Sequence, residues 1–277
     1  MSEFQAKPLL GSAVFAGVAR NCAKDLPRAL ERWSALEELF DSRHFFIAEN
    51  DSTDGTKDIL ARWAAADSRR NVDTLDGLAE SSPSRTEKLA VARNAVLDRV
   101  RRTPSAREAD FLVVMDLDDA SAFISPNRLA RCMAFEGWDA LFANQLLFYY
   151  DIWALRHPTR SPDDYLQALS RWPRESWKRR FAELKHVTWR NRPFSPSSPP
   201  VPVQSAFSGF GIYRMATALS SRYCGQRDGQ DICEHVPYHE AMVAAGARLF
   251  LHPALLNGLP WWLEPLAPAI IGRDCVA

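Results

Sequence analysis

The first 118 residues alternate short apolar segments with amphipathic ones, and this alternation is the feature that most limits the fold. Apolar segments of strand length lie at 12–18, 43–48 and 110–115, with a weaker one at 71–75. Segments with apolar residues at helical spacing lie between them, at 25–40, 56–66 and 85–101. Strands that alternate with helices predict an α/β fold with a mostly parallel central sheet and helices on both faces.

Two acidic clusters, at 49–54 and 116–119, follow predicted strands. Ligands of open α/β sheets bind beyond the carboxyl ends of the strands, so both clusters belong to the expected ligand edge. Asp116 and Asp118 are one residue apart, and two such carboxylates can hold a hard divalent cation that keeps positions open for phosphate oxygens. An isolated pair of this kind is more often an acidic turn or a helix cap, but the strand, acidic turn and helix at 47–60 favour a functional site.

Four motifs follow one another along the chain: IAENDSTDGT (47–56), RTEKLAVARNAVLDRV (85–100), FLVVMDLDD (111–119) and VQSAFSGFGIYR (203–214). With these motifs the chain resembles the GT-A glycosyltransferases, and within them the fungal capsule-associated α-1,3-mannosyltransferases; Golgi mannan-synthesising and other family-2-like transferases are more distantly similar. The resemblance implies a Rossmann-like GT-A domain that transfers a hexose from a nucleotide sugar to a glycan or glycolipid hydroxyl. It further implies GDP-mannose as a candidate donor and Mn²⁺ or Mg²⁺ as the cofactor.

The same resemblance suggests metal ligands. Asp118 would be the more direct ligand, and Asp116 would contact either the ribose or the metal. Because GT-A enzymes often supply a third ligand from the last strand, His252 is expected in this role, with His239 as its competitor. For either histidine, a hydrogen-bonded structural role is at least as good an interpretation.

Five residues are candidates for contacts with the nucleotide-sugar donor. Glu49 and Asp51 are expected beside the base and ribose, since carboxylates accept hydrogen bonds from ring N–H groups and sugar hydroxyls. Arg85 and Lys88 share one face of the predicted helix by i, i+3 spacing, and Arg93 and Asp116 complete the set. Cations on this helix can neutralise a departing diphosphate. The alternative for the basic residues is a solvated helix face.

The acceptor side is expected from the second half of the chain. Glu234 and Asp231 are candidates for the general base of an inverting reaction, or for stabilising an oxocarbenium-like centre in a retaining one. His235 is expected as a polar active-site residue. Gly209 and Gly211 predict either close approach of a sugar to the backbone or a strand bulge.

One domain is predicted over residues 1–277. It comprises a donor half at about 12–120, an acceptor half at about 121–258 with an irregular insertion at 151–200, and a tail at 259–277. The insertion is rich in Trp, Arg and Pro. Its tryptophans either stack on sugar rings or pack in the hydrophobic core or over its surface. They are Trp153, Trp172, Trp177 and Trp189.

Composition excludes several partners. The chain carries 34 Lys and Arg against 34 Asp and Glu, whereas a nucleic-acid-binding protein usually has a basic excess, so nucleic acid is not an expected partner. Five scattered cysteines without a CxxC pair indicate neither a disulfide framework nor a zinc site.

Since neither a leader nor an apolar span of about 18 residues is apparent, a cytoplasmic protein is expected. The Trp- and Pro-containing tail suggests peripheral contact with the inner face of the membrane.

Two other classes of function compete with glycosyl transfer. A DxD phosphatase places its acidic pair after the first strand, whereas two strand–helix units precede Asp116 here. A nucleotidyltransferase normally opens with a glycine-rich phosphate loop, and residues 11–27 contain only Gly11 and Gly17. A non-catalytic nucleotide- or glycan-binding module remains open, and it would bind a nucleotide without turnover.

Overall fold

Strands from both halves of the chain form one eight-stranded sheet in the computed structural model, which describes residues 10–118, 124–173 and 175–258. The eight strands, in chain order, are β1 (Ser12–Ala19), β2 (Ser42–Glu49), β3 (Arg70–Thr74), β4 (Phe111–Met115), β5 (Ala140–Gln145), β6 (Val201–Pro202), β7 (Phe210–Arg214) and β10 (Leu249–Gly258). Between the last two, β8 (Gln226–Arg227) and β9 (Gln230–Asp231) pair as a separate ribbon. The order across the sheet is β3-β2-β1-β4-β7-β5-β10-β6.

Strand directions divide the sheet into two parts. β3, β2, β1 and β4 are parallel neighbours, and β5 and β10 are also parallel to each other. β7 lies antiparallel between β4 and β5, and β6 lies antiparallel to β10. The predicted, mostly parallel sheet is therefore confirmed, with one long-range antiparallel strand in its centre.

Helices cover both faces of the sheet. They are α1 (Leu26–Glu37), α2 (Thr56–Ala65), α3 (Leu78–Ser81), α4 (Arg85–Arg102), α5 (Pro104–Arg107), α6 (Pro126–Met133), α7 (Tyr165–Ser170), α8 (Trp177–Glu183), α9 (Met215–Leu219) and α10 (His235–Ala244), and a π-helical turn at Leu184–Thr188 follows α8. In the described parts of the chain, no helix has both the length and the apolar character needed to cross a membrane.

Alternate residues of β1 enter different cores, as the two-residue period of a strand requires. Val14 packs in a cluster with residues of α4 and α10, whereas Phe15 packs in a cluster with residues of α1 and α6. Both clusters are fully apolar at their centres, where Val14, Phe15 and Leu112 have no exposed surface. An α/β domain with a helix-covered central sheet, as predicted for the GT-A class, is the observed fold.

The parallel register brings three loops to one edge. Ala19 at the end of β1 is level with Glu49 at the end of β2, and β4 ends beside them. Asn21, after β1, accepts a hydrogen bond from the backbone N–H of Thr53 at 2.8 Å and donates its own N–H to Ser52 at 2.9 Å. These bonds join the loops after β1 and β2 into one wall of the ligand edge.

The predicted insertion at 151–200 contains the two short helices α7 and α8, and ion pairs between its own residues hold it together. Arg156 Nη2 lies 3.0 Å from Asp164, which also accepts a hydrogen bond from Trp153 Nε1 at 2.9 Å. Arg190 is buried and pairs with Asp163. Trp153 packs against the core, so the start of the insertion belongs to the body of the domain.

Candidate active site

A cavity of about 550 Å³ opens at the carboxyl ends of β1 and β4. Arg20, Asn50, Asp116 and Asp118 line it from the loops that follow the strands. The other walls come from α4, from the start of the predicted insertion and from the segment before α10. Residues from both halves of the chain therefore line the cavity.

The basic wall of the cavity is α4, which begins after Ser84. The Ser84 hydroxyl accepts a hydrogen bond from the backbone N–H of Glu87 at 3.1 Å, and this N-cap fixes where the helix starts. Arg85, Lys88 and Arg93 all line the cavity. The structure thus brings together the three cations that the sequence assigned to the donor.

Arg93 is the centre of a buried ionic cluster. Its Nε donates to Glu234 Oε1 at 3.0 Å, and its Nη2 donates to Asp116 Oδ1 at 3.2 Å. The guanidinium lies over the rings of Phe207 and Tyr223, at 5.2 and 5.8 Å from their centroids. Burial alone would lower the pKa of Arg93, but the carboxylates of Glu234 and Asp116 raise it above its ordinary value. Arg93 is therefore a fixed positive charge.

Asn94, the next residue, explains why Arg93 faces the cavity. Its side-chain amide donates to the carbonyl of Tyr223 at 2.9 Å and accepts from the N–H of Tyr223 at 3.0 Å. This reciprocal pair attaches α4 to the segment that leads to α10. Within the described residues, Nη1 of Arg93 is buried and has no hydrogen-bond acceptor.

Asp116 and Asp118 both line the cavity, as the sequence predicts for a cation site. Burial raises the pKa of Asp116, although the neighbouring Arg93 lowers it. Two carboxylates suit a hard divalent cation whose other ligands are water and substrate phosphate oxygens, so the pair fits Mn²⁺ or Mg²⁺. Over the described ranges, His, Cys, Asp and Glu side chains form no cluster of three or more that could hold a metal.

Asp151 is a site residue that the sequence pattern did not reveal. It lines the cavity, and its Oδ2 accepts a hydrogen bond from the N–H of Ser208 at 2.8 Å. Burial raises the pKa of Asp151 to about 6, although the Ser208 N–H lowers it. The one available signal was an acidic residue soon after the apolar segment 140–145, which forms β5 but was not predicted as a strand.

Glu234 and His235 line the cavity at the start of α10, where the sequence places catalytic candidates. The His235 ring stacks on Phe207 with 3.9 Å between centroids, and its Nε2 lies 3.8 Å from Glu234 Oε1. Burial, Arg93 and His239 lower the pKa of His235 well below its ordinary value, so the ring is neutral. In the part of the chain that the structure describes, both ring nitrogens of His235 lack a hydrogen-bond partner.

Neither histidine expected as a metal ligand lines the cavity with the two aspartates. His239 is fully buried, with Nδ1 2.9 Å from Ser205 Oγ and Nε2 2.9 Å from Tyr213 Oη. Both its nitrogens are therefore occupied, and burial and Arg93 lower its pKa to about 3. His252 packs edge-on to Phe135 with centroids 6.3 Å apart and does not line the cavity. Neither histidine expected as the third ligand is therefore among the residues that line the cavity.

Three carboxylates expected at the site lie outside the cavity lining. Glu49 Oε1 accepts the N–H of Ser52 at 2.8 Å, so it shapes the loop after β2 while Asn50 lines the cavity. Asp51, at a φ of 49°, accepts the N–H groups of residues 77 and 79 at 2.7 and 2.6 Å and anchors the start of α3. Asp231 is exposed in the β8–β9 ribbon.

Two further expectations are corrected by packing. A Cβ on Gly211 would lie 3.0 Å from the Tyr213 ring and 3.1 Å from Phe142, so this glycine permits core packing and not the approach of a sugar. Of the four tryptophans of the insertion, Trp153 alone is among the residues that line the cavity. Asp119 and the tail 259–277 lie outside the described residues.

Comparison with solved structures identifies the fold. S. aureus TarS 1-349 is 13% identical with a TM-score of 0.50, over 89% of this chain and 59% of that chain. The same fragment in complex with UDP-GlcNAc is matched at 15% identity and a TM-score of 0.48, over 90% and 57%. The mannosyltransferase PcManGT from Pyrobaculum calidifontis, in complex with GDP-Man and Mn²⁺, is 12% identical with a TM-score of 0.49, over 88% and 55%.

The chain therefore spans less than two thirds of the length of these proteins. Protein-family models and curated proteins were also compared, and none of them matches the chain. The similarity to TarS, at 13% identity, is a similarity of fold. The α/β domain of this chain has the Rossmann-like GT-A fold.

Proposed function

We propose that the protein is a metal-dependent glycosyltransferase that moves a hexose from a nucleotide sugar to a glycan or lipid-linked glycan hydroxyl. The observation that carries this proposal is the cavity in which Asp116 and Asp118 face Arg85, Lys88 and Arg93. A nucleotide sugar loses a diphosphate, so its site needs groups that stabilise negative charge as that bond breaks. The same proposal treats residues 12–120 as the donor half and 121–258 as the acceptor half of one domain.

Asp116 and Asp118 would hold Mn²⁺ or Mg²⁺. When bound, such an ion neutralises the diphosphate and orients it. Arg93 keeps Asp116 in place through the 3.2 Å hydrogen bond and adds a buried positive charge beside the diphosphate. Arg85 and Lys88, one helical turn apart on α4, extend the positive wall toward the cavity mouth.

Two carboxyl groups in the cavity are candidates for handling the acceptor proton. Glu234 is held in one position by its 3.0 Å hydrogen bond from Arg93, which suits it to orient the acceptor or to stabilise positive charge at the sugar. Asp151, with its pKa raised to about 6, is suited to accept a proton near neutral pH. We propose Asp151 as the base and Glu234, with neutral His235 beside it, as the residue that positions the sugars.

The donor is proposed as GDP-mannose, on the sequence resemblance to the fungal capsule-associated mannosyltransferases. The scattered cysteines support a reducing, cytoplasmic location, and the tail 259–277 supports contact with the inner face of a membrane.

The test is donor binding and nucleotide release with the full chain, using GDP-mannose, UDP-GlcNAc and UDP-glucose, each with Mn²⁺ or with EDTA. We expect one donor to bind only with the metal and to release its nucleotide when a glycan acceptor is added. Asp118→Ala should abolish metal-dependent binding, whereas Asp58→Ala, an exposed carboxylate on α2, should bind as the wild type does.

Failure of every donor to bind would overturn the proposed function. Metal-dependent binding without release, across a range of glycan acceptors, would instead favour the non-catalytic nucleotide-binding module. Unchanged binding by Asp118→Ala would reject the assignment of the metal site alone.

A further inference from the structure

The helix α8 and the turn after it expose a stripe of large apolar side chains. Trp177, Phe181 and Leu184 are 73%, 66% and 49% exposed, and their spacing of four and three residues puts them on one side of the helix. Trp189, 55% exposed, follows at the end of the π-helical turn. Ala182, on the opposite side of α8, is buried, so the helix is packed by its other face and the aromatic stripe has been left to solvent.

Exposed cations border this stripe. Residues 177–192 contain six Lys and Arg and one Glu, within a chain that is neutral overall. Arg190 and Arg179 are engaged by Asp163 and Glu183, but Lys178, Arg180 and Lys185 are exposed on α8 and the turn. Lys178 Nζ lies 5.2 Å from the Trp172 ring, and the Arg192 guanidinium lies 3.9 Å from the Trp189 ring.

We propose that this surface, which we call the α8 face and define as Trp177, Lys178, Phe181, Leu184, Lys185 and Trp189, docks the protein on an anionic lipid bilayer. Tryptophan and phenylalanine prefer the boundary between headgroups and acyl chains, and a helix that combines them with Lys and Arg lies in the plane of that boundary. The bordering cations meet the negative potential of the lipid headgroups.

Two other occupants suit the α8 face less well. A symmetric dimer through it would place the same basic residues of two copies against each other, because a two-fold interface is self-complementary. A sugar held at the candidate active site would not reach it, since neither Trp177, Phe181 nor Trp189 is among the residues that line the cavity. Anionic lipid is the partner that satisfies both the exposed rings and the exposed charge.

The test is flotation of the full chain with vesicles of phosphatidylcholine alone or of equal parts phosphatidylcholine and phosphatidylglycerol. We expect the protein to float with the anionic vesicles and to be released by high salt, because screening removes the attraction of the headgroups. Trp177→Ser with Phe181→Ser should weaken partitioning roughly hundredfold, given the area of two aromatic side chains. Lys178→Glu with Lys185→Glu should weaken it roughly tenfold or more.

Val91→Ser is the matched control, because Val91 is exposed on α4 outside the cavity lining. It should float as the wild type does, and circular dichroism should show all variants folded. The proposal would be overturned if the wild type did not float with the anionic vesicles, or if it bound neutral vesicles equally well. It would also be overturned if the Trp177→Ser, Phe181→Ser double variant floated as the wild type does. That last result would assign the membrane contact to the tail. A dimer in sedimentation that the double variant abolishes would reassign the face to a second copy. None of these measurements depends on glycosyl transfer.

Discussion

Of the places where cations stack on aromatic rings, the cavity and the α8 face have opposite surroundings. In the cavity, Arg93 lies over Phe207, and both are buried beside the carboxylates of Glu234 and Asp116. On the α8 face, Lys178 and its aromatic neighbours are exposed to water. A buried charge must be compensated by the protein itself, whereas an exposed one is hydrated until a partner arrives. The first arrangement is rigid and tolerates little change, and the second can be altered without cost to the fold.

Removal of the buried cation should have the largest effect. Arg93→Ala leaves Glu234 and Asp116 in the interior without their partner, and we expect it to lower the free energy of unfolding by about 3–5 kcal/mol. Urea denaturation measures this change. Arg180→Ala, which removes an exposed arginine of α8, should change stability by less than about 0.5 kcal/mol. If the two substitutions lowered the free energy of unfolding equally, the contrast between the buried cation of the cavity and the exposed cations of α8 would be wrong.

An intermediate effect is expected from Asp151, and it should depend on pH. Its folded-state pKa of about 6 lies above the ordinary value of 3.8, so its contribution to stability is complete below pH 3.8 and is lost as the pH rises through 6. Asn cannot ionise, so Asp151→Asn should gain stability relative to the wild type between pH 4 and pH 8, by roughly 2 kcal/mol.

Thermal unfolding in EDTA at the two pH values measures this difference without a bound metal. A constant difference between variant and wild type would mean that Asp151 is ionised throughout the range. It would also remove the support for Asp151 as the base.

The smallest effect should come from the exposed aromatic stripe. Phe181→Ser replaces a side chain that is 66% exposed, and we expect the free energy of unfolding to change by less than about 0.5 kcal/mol. Urea denaturation is again the measurement. A decrease of more than about 2 kcal/mol in the free energy of unfolding would show that Phe181 stabilises the core. The α8 face would then not be a free surface for a partner.

The meeting of Asp116, Arg85 and Lys88 in one cavity could be predicted from the sequence because its signals are local. The strand before Asp116 and the helix that carries Arg85 and Lys88 follow from periodicity within single segments, and parallel strands bring their carboxyl ends to one edge. β5, which leads to the missed Asp151, is as apolar as the predicted strands but pairs only with segments far along the chain.

Contacts between segments that are distant in the sequence also determine the surroundings of His239 and His252. His239 seemed available as a ligand because spacing alone does not reveal that Ser205 and Tyr213 take both its nitrogens. His252 was expected as a ligand from the last strand, but it lies inside β10, whose carboxyl end is at Gly258, six residues further on. Sequence periodicity gives the type of each element, but the partners of a side chain depend on the tertiary structure.

The antiparallel β7 has a consequence for the order in which the domain can assemble. Phe111 of β4 is paired with Arg214 of β7, and the N–H of Asp116 donates to the carbonyl of Gly209 at 2.9 Å. β4 and β5 have no contact in the sheet until β7 enters between them, and closing loops of this length slows folding. On a ribosome, β1 to β4 can emerge and pair early, but Asp116 gains its final backbone partner only after residue 209 has been made. The candidate active site is therefore completed late in the synthesis of the chain.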